Sequence, residues 1–238
     1  MALLQSTLDI LCPPRCVLCK QWLDEGLLCT ACIRSFPPRL APFCPRCGAI
    51  SAGVNSRCKQ CDEGDTPPYA MATAPFSFDG SIRKCIHMLK YDRRTGLAKP
   101  LSQMMLQHLA KTSGLFPVPG SFDMVMPVPM HSNRRRKRGF NQAELLAQPV
   151  ADAYGIPMEC GLLNRIRHTS TQTILGRSAR AANLQSAFAM ADLERVANRS
   201  ILIVDDVLTT TATTREIARN LQNAGAKYIA VLALAWRN

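Results

Sequence analysis

Beyond residue 66, segments with short unbroken runs of hydrophobic residues alternate with segments in which hydrophobic residues recur every three or four positions. This pattern predicts a chain of alternating strands and helices. Short apolar runs predict strands at 71–78, 122–128, 201–204 and 228–235. Apolar residues three or four positions apart predict helices at 82–89, 97–109, 143–154 and 213–225. Pro149 is expected to kink the third of these helices. The run at 201–204, all β-branched residues and leucine, is typical of a parallel strand buried on both faces. The alternation predicts an α/β fold, an open parallel sheet with flanking helices.

Cysteine residues are concentrated before residue 62, where nine of the eleven lie. Eight of these form four Cys-x-x-Cys pairs, at Cys16/Cys19, Cys29/Cys32, Cys44/Cys47 and Cys58/Cys61. Two such pairs complete a tetrahedral Cys₄ zinc site, which is structural because it leaves no open position for chemistry. Zinc binding also supplies the stability that a segment with few large apolar residues lacks. We therefore predict two structural zinc sites.

The order of the cysteine pairs predicts two zinc ribbons in tandem, with sequential pairs sharing an ion; interleaved pairing is the open alternative. Disulfides are disfavoured because the N-terminus does not resemble a secretion signal. A redox pair would occur once beside a βαβ unit and not four times in series. The three remaining cysteines, Cys12, Cys85 and Cys160, are predicted to be buried free thiols.

Turn and breaker residues at 62–68 predict a boundary between a double zinc ribbon at 1–65 and a second domain at 66–238. Apolar residues make up 47% of the chain and charged residues 19%, which is a globular composition. No apolar run is long enough for a membrane span, and we expect a cytoplasmic protein. The formal charge of +12 falls to about +8 with zinc-bound thiolates and still indicates an anionic partner, a phosphorylated small molecule or nucleic acid.

The string Ile201-Leu-Ile-Val-Asp-Asp-Val-Leu-Thr-Thr-Thr-Ala-Thr-Thr214 joins a buried strand to a helix through two carboxylates and a threonine-rich turn. A helix N-terminus presents unpaired N–H groups to an anion. In open parallel sheets, ligands bind at the carboxyl ends of strands, where this turn falls. Two adjacent carboxylates can accept hydrogen bonds from two ribose hydroxyls. The alternative is a buried strand that ends in an acidic turn, with threonine as the helix cap.

The whole string resembles the phosphoribosyl-pyrophosphate (PRPP) loop of type I phosphoribosyltransferases and therefore predicts that fold. The resemblance implies that two carboxylates hold the ribose and that main-chain amides and threonine hydroxyls hold the 5-phosphate, with Mg²⁺ accompanying PRPP. The implied PRPP-binding residues are Asp205, Asp206, Val207, Leu208, Thr209, Thr210, Thr211, Ala212 and Thr213. The sequence departs from the family at Thr211, where glycine is usual. If φ is positive there, a β-branched residue is strained.

Five consecutive cations at 134–138 follow one predicted strand and precede a helix. Alone, such a run indicates a solvated face or a nucleic-acid patch, but its position after a strand favours an anion site. The string Arg138-Gly-Phe-Asn-Gln142 resembles the ComF/GntX family, in which it corresponds to the pyrophosphate loop of phosphoribosyltransferases. Pro13-Pro-Arg-Cys-Val-Leu-Cys19 and Leu89-Lys-Tyr91 resemble two further motifs of that family.

A fourth string, Arg167-x4-Gln172-x2-Leu175-x4-Arg180-x2-Asn183, resembles the flexible loop that closes over PRPP in this family. The pyrophosphate contacts that the resemblance implies are Lys90, Arg135, Arg138, Gln172 and Arg180. For Lys90 and Arg180, a surface salt bridge is the alternative.

The resemblance implies two different functions. The first is a phosphoribosyltransferase in which a nucleophile attacks C1 of PRPP and pyrophosphate leaves; the sequence identifies no acceptor. The second is a protein of DNA uptake in natural competence, in which the zinc module and the basic loop bind single-stranded DNA and the PRPP site is a sensor or a remnant. Aromatic residues for stacking are few, 6% of the chain, with Phe140 beside the basic run. A membrane-associated uptake partner is compatible with the second function. A third possibility is that the zinc module only docks a protein partner.

Overall fold

The computed structural model describes residues 13–40, 42–53, 56–112, 120–165 and 188–237. The N-terminal part contains two short helices, α1 (Thr30–Arg34) and α2 (Lys59–Asp62). The elements that follow are β1 (Met71–Thr73), β2 (Phe76–Ser77), α3 (Gly80–Tyr91), a 3₁₀ turn (Thr95–Leu97), α4 (Ala98–Lys111), β3 (Met124–Pro127), α5 (Ser132–Arg138), α6 (Gln142–Tyr154), β4 (Leu163–Arg165), β5 (Phe188–Met190), β6 (Ser200–Leu208), α7 (Ala212–Asn223) and β7 (Tyr228–Trp236).

The main sheet is parallel throughout and has the strand order β1–β7–β6–β3, with β2 also paired to β7. Residues 201–204 of β6 are fully buried, as the apolar run predicts. Alternate residues face opposite sides of the sheet. Leu202 and Val204 pack with α4 and α6, whereas Ile201 and Ile203 pack with α7. The predicted open parallel sheet with flanking helices is therefore confirmed.

The N-terminal part repeats one small unit twice. In each unit an antiparallel bridge, Arg15↔Trp22 or Phe43↔Ile50, encloses the first cysteine pair. The second cysteine pair of each unit then lies at the start of α1 or α2. The first unit packs through Val17 against the α4 and α6 side of the sheet, and the cysteines of the second unit pack on the α7 side. Each ribbon thus covers a different face of the core.

Several elements differ from the sequence predictions. The predicted strand at 71–78 is divided at Ala74-Pro75 into β1 and β2, because proline has no N–H for a ladder hydrogen bond. Residues 132–138, predicted as part of a loop, form α5, and β6 extends four residues beyond the predicted end, to Leu208. Strands β4 and β5 were not predicted; they form a separate antiparallel pair.

The remaining predictions on single residues have mixed outcomes. Cys85 is a buried free thiol, as predicted. The same prediction is wrong for Cys160, which is exposed beyond the end of α6. Helix α6 continues without a break through Pro149. Cys12 lies outside the described residues. Within the described ranges, none of the helices has the length and apolarity that a membrane crossing requires.

Candidate functional site

The eight paired cysteines lie in two clusters, and in each cluster the four sulfur atoms are within 4.8 Å of one another. The first cluster contains Cys16, Cys19, Cys29 and Cys32, and the second contains Cys44, Cys47, Cys58 and Cys61. Sequential pairing is thereby confirmed. Four sulfurs at this separation match the ligand set of a closed tetrahedral zinc site. The chain therefore has two structural zinc sites, the second of them fully buried.

One cysteine in each cluster favours the thiolate even before a metal is considered, whereas burial raises the pKa of Cys32, Cys47 and Cys61. Burial raises the pKa of Cys16, but backbone hydrogen bonds from Cys19 and Cys29 outweigh burial and lower that pKa to about 6. The equivalent bonds from Cys47 and Cys58 outweigh burial at Cys44 and lower its pKa to about 7. Because zinc binds the thiolate, the backbone of each knuckle prepares one ligand for the ion.

Two adjacent carboxylates lie near the carboxyl end of β6. Asp206 is 3% exposed, and Asp205 is partly exposed. Burial, and then the charge of Asp206, raise the pKa of Asp205 well above its ordinary value. At Asp206 burial acts in the same direction, but Lys90 and Gln142 outweigh it and lower the pKa. The pair therefore favours a single negative charge on Asp206, and Asp205 is the more easily protonated of the two.

Both oxygens of Asp206 have partners from other elements. Lys90, at the end of α3, forms an ion pair with Oδ2. The Gln142 amide donates to Oδ1 at 3.0 Å. The side chain of Lys90 is only 19% exposed, so this pair is not the surface salt bridge considered above. An ionised carboxylate has about four lone-pair sites, so Asp206 keeps unused acceptor capacity, but it is buried and Asp205 is the more accessible of the two.

The motif at 138–142 connects the basic helix to the acidic pair. Gly139 ends α5 with φ of 90°, a conformation that favours glycine. Asn141, 2% exposed, caps α6 by accepting from the Ala143 N–H and donates to the Val128 carbonyl at 3.0 Å. Arg138 donates to Gln142, which in turn donates to Asp206. The motif therefore fixes both the turn between α5 and α6 and the position of the Asp206 carboxylate.

A cationic cavity of about 430 Å³ lies beside this network. Five cations and one aromatic residue line it: Lys90, Tyr91, Arg93, Arg134, Lys137 and Arg138. Arg138 lies over the Tyr91 ring, with 5.4 Å between its guanidinium carbon and the ring centroid. Lys90 belongs both to this cavity and to the Asp206 ion pair, so cavity and acidic pair adjoin. A cavity lined by cations without a carboxylate favours phosphate groups.

The predicted pyrophosphate residues separate into three groups. Lys90 and Arg138 line the cationic cavity. Arg135 does not line it and instead pairs with Glu144 at 2.6 Å. Gln172 and Arg180 lie outside the described residues, in the segment between β4 and β5. Gln142, Tyr91 and Arg93 were not predicted as site residues, although the first two lie inside the motifs at 138–142 and 89–91.

The turn after β6 contains the departure from the family pattern. Thr209 and Thr210 are exposed, and Thr211 has φ of 56° and ψ of 2°. This is the left-handed region, in which a β-branched residue is strained. The strain considered from the sequence is therefore present. The Thr211 carbonyl accepts from the Arg215 N–H at 2.7 Å and from the Thr214 hydroxyl at 2.8 Å, which fixes the first turn of α7.

Known proteins resemble this chain along nearly its whole length. Residues 7–62 match the model of the double zinc ribbon domain. The DNA utilization protein YhgH of Salmonella typhi is 33% identical over 226 residues, which cover 93% of this chain and 96% of that protein. Competence protein F of Haemophilus influenzae is 28% identical over 229 residues, which cover 93% of this chain and 96% of that protein.

Among solved structures, the glutamine PRPP amidotransferase of B. subtilis matches 57% of this chain and 25% of its own, with 23% identity and a TM-score of 0.37. A hypoxanthine-guanine phosphoribosyltransferase from Leishmania tarentolae matches 57% of this chain and 64% of its own, with 12% identity and a TM-score of 0.29. The family assignment rests instead on the relatives of similar length. With the double zinc ribbon and relatives 33% identical across 93% of its length, the chain belongs to the ComF/GntX family, alongside the DNA utilization protein YhgH.

Proposed function

We propose that the protein binds PRPP together with Mg²⁺ at the carboxyl end of β6. The supporting observation is that Lys90 joins the acidic pair to the cationic cavity, because the same side chain pairs with Asp206 and lines that cavity. PRPP requires hydrogen-bond acceptors next to a group of cations, because its ribose offers hydroxyl donors and its pyrophosphate is strongly anionic.

On this proposal Asp205 and Asp206 accept hydrogen bonds from the two ribose hydroxyls. The main-chain amides of 207–213 and the hydroxyls of Thr209, Thr210 and Thr213 hold the 5-phosphate at the N-terminus of α7. Val207, Leu208, Thr211 and Ala212 contribute through the backbone. Mg²⁺ would neutralise part of the pyrophosphate charge, and carboxylates with substrate phosphates are its usual ligands.

The pyrophosphate of PRPP lies in the cationic cavity on this proposal. Lys90 and Arg138 are the predicted contacts that line it, and Arg93, Arg134 and Lys137 join them. Arg135 belongs to the predicted set but is paired with Glu144, so we expect a smaller contribution from it. Gln172 and Arg180 remain predictions from the family resemblance. A transfer reaction would consist of attack at C1 of the ribose by an acceptor, with pyrophosphate leaving into this cavity; the acceptor is open.

Isothermal calorimetry with PRPP and Mg²⁺ tests the cavity assignment. Arg138→Met should weaken PRPP binding at least tenfold, since a hydrogen bond to a charged group contributes about 1.5–3 kcal/mol. Arg136→Met is the matched control, because Arg136 is exposed on the same helix and bonded to Asn133. Equal affinities for the two variants would reject the cavity as the pyrophosphate site.

Binding of single-stranded DNA is a second candidate function, and one observation favours it. Tyr91 is 66% exposed beside the cationic cavity, with Arg138 over its ring. An exposed ring among cations can stack on a base while the cations contact phosphates. The name of the relative in Salmonella typhi, a DNA utilization protein, agrees with this candidate.

Anisotropy of a labelled oligonucleotide, measured at low and at physiological salt, tests this candidate. Affinity should fall steeply with salt, and Tyr91→Leu should weaken binding about tenfold. Trp22→Leu is the matched control, since Trp22 is a 52% exposed ring with Arg15 over it on the first ribbon. A flat salt response rejects DNA binding, and an equal loss in the Trp22 variant rejects Tyr91 as the specific platform.

A further inference from the structure

The second zinc ribbon packs into the core next to the turn that follows β6. Its cysteines share one hydrophobic cluster with Leu208, Ile217 and Trp236. The approach is close at Gly48, where an added Cβ atom would lie 1.8 Å from the Ala72 carbonyl oxygen of β1. The first cluster differs, because Cys19 is exposed and the unit around it packs on the opposite face of the sheet. Only the second ribbon is therefore positioned to act on the turn.

Arg215, in the first turn of α7, connects this ribbon to the turn. Its guanidinium donates to the Asp65 carboxylate at 2.6 Å and to the Asp65 carbonyl at 3.0 Å. Its Nε donates to the Thr211 hydroxyl at 3.3 Å. The Arg215 side chain is 15% exposed, although its partner Asp65 is 67% exposed. One side chain thus joins Asp65 to the residue with the strained backbone.

A cavity of about 390 Å³ is lined by residues of both the ribbon and the turn. Gln60 and Asp65 of the ribbon line it together with Thr209 and Thr210 of the turn. Side chains that face a cavity lack packing partners there. The turn therefore depends on polar contacts to hold its shape, and Thr211 in the left-handed region makes that shape costly.

We propose that Asp65 and Arg215 are positioning residues for the PRPP loop: the second zinc ribbon holds Thr211 in its left-handed conformation through Arg215. Neither residue has been assigned to the ligand itself. Glycine would adopt this conformation without steric cost, whereas threonine does not, so this chain supplies an external restraint. The consequence for PRPP affinity rests on the proposed function; the restraint on the loop does not.

An exposed ion pair alone would not support this role, because such pairs contribute little. The carboxyl side chain of Asp65 is 67% exposed, but Arg215, itself 15% exposed, donates two hydrogen bonds to this residue, one to the carboxylate and one to the backbone carbonyl. The same ribbon offers a matched control in Lys59–Glu63, 3.7 Å apart, with side chains 88% and 62% exposed. Replacement of Glu63 removes one carboxylate from the ribbon without changing the contacts of Arg215.

Hydrogen exchange of the amides of 209–215 in the ligand-free protein tests the restraint, and calorimetry with PRPP tests its consequence. Asp65→Asn should accelerate that exchange about threefold to tenfold and weaken PRPP binding by a similar factor. Glu63→Gln should leave both unchanged. Arg215→Gln removes the contact from the other side and should reproduce the effect with the ribbon sequence intact. In a Thr211→Gly background, the effect of Asp65→Asn should fall below about twofold.

The outcomes separate the two proposals. If exchange in Asp65→Asn and Arg215→Gln equals that in Glu63→Gln, the restraint does not exist. If Asp65→Asn has the same effect with Thr211 and with glycine, Asp65 acts elsewhere and the proposal is wrong. If wild-type protein does not bind PRPP but the exchange pattern is as expected, the proposed function fails and the restraint stands.

Discussion

Replacement of Lys90 by methionine removes the cation on which the acidic pair depends. Lys90 and Asp206 form an ion pair with side chains 19% and 5% exposed. Methionine keeps an unbranched apolar side chain of similar length, so packing of α3 is largely retained. The buried carboxylate is left with the neutral amide of Gln142 as a side-chain donor. The variant therefore isolates the charge of Lys90.

The expected loss of stability follows from the burial of the pair. Removal of one partner from a buried ion pair costs about 3–5 kcal/mol. Because the Lys90 amine is partly solvated, we expect a decrease of about 2–3 kcal/mol in the free energy of unfolding at pH 8.

The pH dependence has a definite sign. Although burial raises the pKa of Asp206, Lys90 and Gln142 lower it below its ordinary value. In wild-type protein this carboxylate stabilises the fold above the unfolded pKa of about 4, and that contribution is lost as pH falls through the folded pKa. Without Lys90, burial raises the folded pKa, so the variant is least stable at high pH. The difference in the free energy of unfolding between wild type and the variant should therefore shrink from pH 8 towards pH 5.

Urea unfolding at pH 8 and pH 5 measures both effects. Lys84→Met is the control, since Lys84 is exposed on the same helix and should change stability by less than about 0.5 kcal/mol. A second Asp206→Asn substitution completes a double-mutant cycle. A deficit no larger than that of Lys84→Met, or one unchanged when Asp206 is asparagine, would refute the reasoning.

Three other predictions concern pH, zinc and the strained residue. Burial, followed by the charges of Arg39 and Lys111, lowers the pKa of His108 to about 4. In the unfolded chain the pKa is about 6.5, so the unfolded chain takes up the proton first as the pH falls. The free energy of unfolding should therefore decrease by about 2 kcal/mol towards pH 4.5. His108→Gln should remove that part of the pH dependence in urea unfolding. Cys61→Ser should lower the melting temperature more than Cys19→Ser, because the second cluster lies in the core; equal shifts by calorimetry would contradict this. Thr211→Gly should raise the free energy of unfolding by about 1 kcal/mol and Thr211→Ala by less, since only glycine relieves a φ of 56°.

Local patterns explain what could be predicted from the sequence. The run at 201–204 predicted a doubly buried strand because each residue faces a covered side of the sheet. Two cysteines separated by two residues already determine a knuckle, so the number of zinc sites followed from spacing, whereas the choice of sequential over interleaved pairing is confirmed by the clusters in the fold. Prediction of strain at Thr211 needed only the position of glycine in the family, and the φ of 56° in the structure agrees with it.

Contacts between distant segments explain what could not be predicted. Asp65 and Arg215 are 150 residues apart, and only the folded sheet brings the ribbon to α7. Helix α5 was missed because its cations show no hydrophobic period; its ends are set by His131, which accepts from the Asn133 N–H at 3.2 Å, and by Gly139. The pairing of Lys90 with Asp206 likewise required two elements to meet.

Calorimetric titration of the zinc-loaded protein with PRPP and Mg²⁺, on wild type and on Asp205→Asn, tests the central claim most directly. Asp205 is partly exposed at the carboxyl end of β6, so its replacement leaves the Lys90–Asp206 pair in place. We expect saturable binding by wild type below millimolar PRPP and a loss of at least tenfold in the variant. Absence of binding at millimolar PRPP, or equal affinity in the two proteins, would contradict it.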